Sequence, residues 1–77
     1  MDELTRAYID VIAEYDPYIA REELLEAELP EMLYNLEQIN EDLTESLSAD
    51  FDEDLYYLQE HLKAVIAQFK AKGVEII

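Results

Sequence analysis

Residues 51–72 read FDEDLYYLQEHLKAVIAQFKAK. Phe51, Leu55, Leu58, Leu62, Val65, Ile66 and Phe69 fall within a narrow arc of a helical wheel, the pattern of a helix with one buried face. Strict apolar–polar alternation, the mark of a half-buried strand, is absent here and along the rest of the chain. The stretch predicts an amphipathic helix from about Phe51 to Lys72. Asp50, followed three residues on by Glu53, resembles a capping box at its start. Gly73 suits the position that closes a helix. Lys63, Lys70 and Lys72 lie toward the C-terminal end, where positive charge complements the helix dipole.

Working outward, Ser48-Ala49-Asp50 predicts a turn. The helix before it, from about Pro30 to Leu47, turns Met32, Leu33, Leu36, Ile39, Leu43 and Leu47 inward. Its outer face carries Glu31, Tyr34, Gln38, Glu41, Asp42 and Glu45. A short helix is expected from about Pro17 to Glu28, with Tyr18, Leu25 and Leu29 leaning together and Leu24 farther round. Glu22, Glu23 and Glu26 cluster on a different face. Asp16 reads as its N-cap, with Pro17 at the first helical position. The first helix runs from about Glu3 to Tyr15, capped by Asp2. Leu4, Tyr8, Val11, Ile12 and Tyr15 share one of its faces, and Glu3, Asp10 and Glu14 the other. The Val74-Glu75-Ile76-Ile77 tail is apolar and is expected to pack back on the bundle or to meet a partner. The expected fold is all-α: a compact antiparallel bundle of about four helices, one short, forming a single acidic domain over residues 1–77.

Length and composition agree with that fold. A chain of 77 residues makes one domain at most, and the 51% of hydrophobic residues is enough for a packed core. There is no Cys, hence no disulfide framework and no thiolate metal site. No apolar run approaches the ~20 residues of a membrane span. The N-terminal MDELTRAYID shows no basic region followed by an apolar stretch, so no signal peptide is expected.

No catalytic set is legible. The hydroxyl candidates Thr5, Thr44, Ser46 and Ser48 have no triad motif around them, and the only His, His61, reads as a surface residue on a helix flank. One His cannot make a zinc site. A di-iron Glu-x-x-His pair fails because Leu58 stands where the Glu would be. Asp50-x-Asp52-x-Asp54 matches the first three ligand positions of a calcium loop, but Leu55 replaces the required Gly and His61 the bidentate Glu. An acid-rich helix start, favoured by the dipole, accounts for it. No metal and no cofactor is therefore expected. Paired carboxylates serve as acid and base in glycosidases, but no cleft is evident in so small a domain. The size, acidity and helical content also resemble acyl carrier proteins. Their Asp-Ser-Leu attachment motif has its nearest match in Glu45-Ser46-Leu47, with Ser46 near the end of a helix rather than at its start.

Charge is the strongest signal. The formal net charge is −15, and from Glu22 to His61 there are 14 Asp and Glu and no Lys or Arg. Such a balance disfavours direct binding to nucleic acid or anionic membrane, and favours a basic partner. Exposed helices commonly interleave Lys with Glu at i,i+4. Here Glu22–Glu26, Glu37–Glu41, Glu41–Glu45 and Asp50–Asp54 are like-charge pairs at that spacing. Together they cost on the order of 1–2 kcal/mol at low salt. Solubility alone does not require this, although an acidic surface does keep a small protein dispersed. A halophilic origin also yields acidic surfaces with few Lys. Nucleic-acid mimicry is a third account, because carboxylates one turn apart repeat about every 6 Å along a helix, comparable to phosphates along a strand. Such a surface would steer into a basic groove.

Tyr34 lies among the acids of the third helix, and Tyr56 and Tyr57 flank Glu53 and Glu60 on the fourth. Exposed Tyr beside carboxylates can anchor a contact. Alternatively, with Ala64, Ala67 and Ala71 on that face, the rings cover a second packing surface or a homodimer contact. The expected partner-binding set is Glu22, Glu23, Glu26, Glu31, Tyr34, Glu37, Glu41, Asp42, Glu45, Asp50, Asp52, Glu53, Asp54, Tyr56 and Glu60. In size, charge and helical content the chain resembles small acidic phage-encoded inhibitors of host defence, including anti-CRISPR and anti-restriction proteins, many of which mimic DNA. That resemblance implies non-enzymatic inhibition in the host cytoplasm, with the acidic face in the DNA-binding groove of a CRISPR effector, nuclease or other basic nucleic-acid-binding protein. The alternative is a helical adaptor, antitoxin or chaperone that binds one protein partner through Tyr57 or the Ile76-Ile77 tail.

Overall fold

The computed structural model describes residues 2–76, so the expectation for Ile77 lies outside the described residues. Four helices follow one another without an intervening strand among the described residues: α1 (Glu3–Tyr15), α2 (Arg21–Leu25), α3 (Leu29–Ala49) and α4 (Glu53–Ala71). The chain is an all-α bundle, with α2 as its short member.

α1 starts where expected. The Asp2 side chain accepts a hydrogen bond from the Leu4 amide at 2.7 Å, satisfying one of the free donors of the first turn. Leu4, Tyr8, Val11 and Ile12 are buried as the wheel predicts, joined by Ile9, whereas Tyr15 at the end of the helix is exposed.

The second helix needs correction. Asp16 does not cap a helix at Pro17. It closes α1 in extended conformation, and its Oδ1 accepts from the Tyr18 amide at 3.1 Å, so Pro17 to Ile19 form a turn. Such a side-chain turn is what Asp offers in place of a helix. α2 then covers only Arg21–Leu25, and its N-cap Ala20 has no side chain with which to bond the free amides. Short helices are marginal without tertiary burial, and here a single residue supplies it. Leu24 is 5% exposed and is that anchor, while Leu25 is 46% and Tyr18 94% exposed. The expected Tyr18–Leu25–Leu29 face thus gives way to Leu24, with Leu29 partly buried.

α3 carries Pro30 in its first turn, where a missing amide costs no hydrogen bond. It buries Met32, Leu33, Leu36 and Leu43 and continues through Ser48 and Ala49, past the expected end at Leu47. The turn that follows is therefore Asp50-Phe51-Asp52. α4 is capped by Asp52, not Asp50: Asp52 Oδ1 accepts from the amides of Asp54 at 2.9 Å and Leu55 at 3.3 Å. Phe51 falls outside the helix and is exposed, so it is not part of the core stripe. The rest of the stripe stands, with Leu62, Val65, Ile66 and Phe69 buried and Leu55 and Leu58 packed at its margin. At the far end Gly73 adopts φ +83. The Gly73 amide donates to Lys70 O at 3.0 Å and the Val74 amide to Phe69 O at 3.1 Å, which is the Schellman ending expected of a Gly there. Val74 packs against the core, the first of the two expectations for the tail, whereas Ile76 is exposed.

Four contacts between helices define the arrangement. Lys70 Nζ lies 2.9 Å from Glu37 Oε1. Gln59 Nε2 donates to Asn40 Oδ1 at 3.1 Å and Thr44 Oγ1 at 2.8 Å, so α3 and α4 form an antiparallel hairpin. Asn35 Nδ2 donates to Tyr8 Oη at 3.1 Å, and Glu14 meets His61 at 3.1 Å. α1 therefore runs parallel to α3 and antiparallel to α4, and its C-terminal end stops level with His61. At a rise of about 1.5 Å per residue, the 13 residues of α1 span about 20 Å and the 21 of α3 about 31 Å. The hairpin outruns α1. Beyond His61 its tip, from Thr44 to Leu58, lacks the third helix, and Leu47, Leu55 and Leu58 are only partly buried.

A candidate protein-interaction surface at the hairpin tip

Two groups of expected contact residues emerge, separated along α3. The first lies at the α2–α3 corner. Glu22 and Glu23 occupy the first turn of α2, Glu26 is its C-cap, and Glu31 lies in the first turn of α3. Glu26, Glu28, Pro30, Glu31, half-exposed Tyr34 and Ile76 line a shallow depression there. The second group is the tip. Glu41, Asp42 and Glu45 are exposed on the outer side of α3, Asp50 and Asp52 sit in the turn, and Glu53 and Asp54 open α4. Ten residues of helix, about 15 Å, separate Glu31 from Glu41.

The tip is the more acidic region, and neither its carboxylates nor Glu22, Glu23, Glu26, Glu28 and Glu31 at the corner have an ion-pair partner among the described residues. Among the described residues Glu37 pairs with Lys70, Glu60 lies 3.9 Å from Lys63, and Glu14 pairs with His61. Glu37 and Glu60 thus already have a cation, whereas Glu41, Asp42, Glu45, Asp50, Asp52, Glu53 and Asp54 have no ion-pair partner among the described residues. Glu41 and Glu45 stand one turn apart, about 6 Å, inside the Debye length of about 8 Å at physiological salt. Their fields therefore add. The α4 N-terminus offsets part of this repulsion for Asp52, Glu53 and Asp54.

The tip also displays aromatic rings. Phe51 and Tyr56 have centroids 5.9 Å apart at 45°, and Tyr56 and Tyr57 5.6 Å apart at 70°, the edge-on arrangement aromatic pairs favour. Tyr57 also lines a shallow groove with Glu14, Asp54, Leu55, Leu58 and His61, directly past the end of α1.

Sequence reasoning missed two residues here. Phe51 was assigned to the core; the signal against this is Asp52, which is better placed than Asp50 to cap a helix that opens Glu53-Asp54. Gln59 was assigned no role, yet it is 6% exposed and holds the tip together. Its Nε2 has Asn40 Oδ1, Thr44 Oγ1 and, at 3.3 Å, Asn40 O as acceptors, and Thr44 Oγ1 in turn donates to Asn40 O at 2.9 Å. The Asn40 and Thr44 spacing, one turn apart on α3, is the only trace of this network in the sequence.

Among the described residues no three or more His, Asp or Glu side chains are grouped to hold a metal ion, and no buried side-chain polar atom lacks a partner. Asp54 lies within α4, so Asp50-x-Asp52-x-Asp54 winds into a helix instead of a loop. Ser46 sits in the last turn of α3. No helix among the described residues is long and apolar enough to cross a membrane. No family model, no curated protein and no solved structure matches the chain. What fold and surface define together is a class: a small helical bundle whose hairpin tip presents carboxylates without counter-charges beside exposed rings.

Proposed function

We propose that the protein is a non-enzymatic inhibitor that acts as a nucleic-acid mimic, its tip occupying the DNA-binding groove of a CRISPR effector or another basic nucleic-acid-binding protein. The observation that carries this reading is the uncompensated run Glu41, Asp42, Glu45, Asp50, Asp52, Glu53 and Asp54 on one projecting end of the bundle. Proteins that bind DNA derive much of their affinity from Lys and Arg contacts to phosphates, and a rigid array of carboxylates offers those side chains the same charge. The projection lets such an array enter a groove without the body of the bundle obstructing it. The acids at the α2–α3 corner add to the field that steers the encounter.

The test is capture from nuclease-treated host lysate with the wild-type chain and with Glu41→Lys/Glu45→Lys/Asp50→Lys. Asp52 is left intact because it caps α4. The wild type should retain a basic nucleic-acid-binding protein that duplex DNA displaces, and the variant should lose it while keeping its helical circular dichroism. Undiminished capture by the variant sinks the mimicry reading. A helical adaptor is the second reading, favoured by the exposed rings of Phe51, Tyr56 and Tyr57; it calls for a salt-insensitive partner that DNA does not displace.

A further inference from the structure

Simple charge mimicry requires no aromatic rings at the tip. Phosphate backbones have none, and Phe is among the residues most often buried. Yet Phe51, Tyr56 and Tyr57 are 66%, 40% and 60% exposed and touch in series. An exposed cluster of apolar rings rimmed by polar groups marks a contact site. Carboxylates without an ion-pair partner stand beside the rings along the chain: Asp50 precedes Phe51, and Glu53 and Asp54 precede Tyr56, whereas Asp52 is engaged in the α4 cap and Glu60 already has Lys63 at 3.9 Å. Ring faces beside carboxylates are matched by one side chain above others. The guanidinium of Arg is planar and weakly hydrated, stacks on aromatic faces and forks two N–H groups onto a carboxylate. The ammonium of Lys is compact and strongly hydrated, and gains less from the rings.

We propose that Phe51, Tyr56 and Tyr57 anchor an arginine-bearing segment of a basic protein partner, with guanidinium groups stacked on the rings and bonded to the neighbouring carboxylates. Charge complementarity selects this occupant. Nucleic acid is repelled by a net charge of −15, and a second copy would bring the same acidic tip against this one. The proposal rests on the reading of the tip as a surface for a basic protein, and it adds which cation the surface prefers and which residues impose the preference.

The test titrates nona-arginine and nona-lysine peptides into the full chain by calorimetry at physiological salt. The wild type should bind the arginine peptide about fivefold more tightly, the upper end of what a cation–π contact yields at an exposed site. Phe51→Leu/Tyr56→Leu/Tyr57→Leu keeps apolar side chains but removes the π faces. It should cut the preference to the part that forked bonding to the carboxylates supplies, while leaving affinity for the lysine peptide unchanged. Tyr56→Phe/Tyr57→Phe should retain the preference. Equal affinities in the wild type, or a preference undiminished in the leucine variant, overturn the anchor. So does a wild-type dimer in sedimentation that the leucine variant dissolves, because the rings then belong to a second copy. Mimicry is judged separately, by whether duplex DNA displaces the captured protein. A diminished arginine preference in the leucine variant combined with no displacement by DNA upholds the anchor and removes the mimic.

Discussion

The chain contains two phenylalanines, at the two ends of the stripe that the sequence predicts for its last helix. Phe69 is fully buried and Phe51 is 66% exposed. Eighteen residues are five turns of helix, so by periodicity alone the two should point in the same direction. What separates them is the local chemistry around Phe51 and the reach of α1. Asp52 starts α4 one residue after Phe51, and α1 ends level with His61, so nothing remains to cover a ring at the tip. The body of the bundle, where three helices pack, supplies stability. The tip, with two helices, is free to present charge and rings.

The largest expected effect tests the body. Phe69→Ala removes the largest fully buried side chain and should cost about 3–5 kcal/mol. Small domains are stable by about 5–15 kcal/mol, so the urea midpoint should fall sharply, or folding should be lost. A loss under about 1 kcal/mol would mean that the body is not the packed half.

Next in size is Gln59, which joins the two helices of the tip. Gln59→Ala should cost about 2 kcal/mol, because Asn40 and Thr44 lose their shared donor in a partly buried site. Thr44→Val should cost about 1 kcal/mol, and the double variant less than the sum of the two. Strict additivity in urea melts would show that the tip is held by its apolar margin alone.

These comparisons show how far the sequence could be read. The helices α1, α3 and α4 and nearly all of the core were legible because thirteen or more residues of consistent period leave little choice of face. The extent of α2 was not legible. Leu24 and Leu25 are adjacent, and which one is buried depends on whether the helix begins at Pro17 or at Arg21, a matter settled by the Asp16 turn. The acids of the candidate site were legible as exposed residues. Their division into a corner and a tip was not, because it depends on where α1 ends. Gln59 was invisible because its partners lie 15 and 19 residues away in sequence.

A smaller effect tests the charge of the tip. Raising salt from about 10 mM to about 0.15 M should screen carboxylates spaced within one Debye length and stabilise the chain by about 1 kcal/mol. For a domain of this size that is about 5 °C in Tm. Glu41→Gln/Glu45→Gln should raise Tm at low salt and diminish its rise with salt. An unchanged Tm across this range in the wild type would show that the acids are too dispersed to repel one another, and the tip would lose its electrostatic distinction from the body.

The smallest expected effect is the most informative about the tip. Phe51→Ala should change stability by no more than about 0.5 kcal/mol, as exposed substitutions generally do. Among the described residues the one aromatic contact it removes is with Tyr56, and most of the ring faces water in either case. The measurement is a urea melt run beside Phe69→Ala, which carries the same change of side chain on the same stripe. If Phe51→Ala instead costs more than about 2 kcal/mol, the ring is buried in solution. α4 would then begin before Phe51 in solution, the stripe would run unbroken over its full length, and Asp50 would take over the cap. In that event the tip becomes part of the body and the arginine anchor loses its first ring, whereas the carboxylates without ion-pair partners, which do not depend on Phe51, would still carry the proposal of a basic partner.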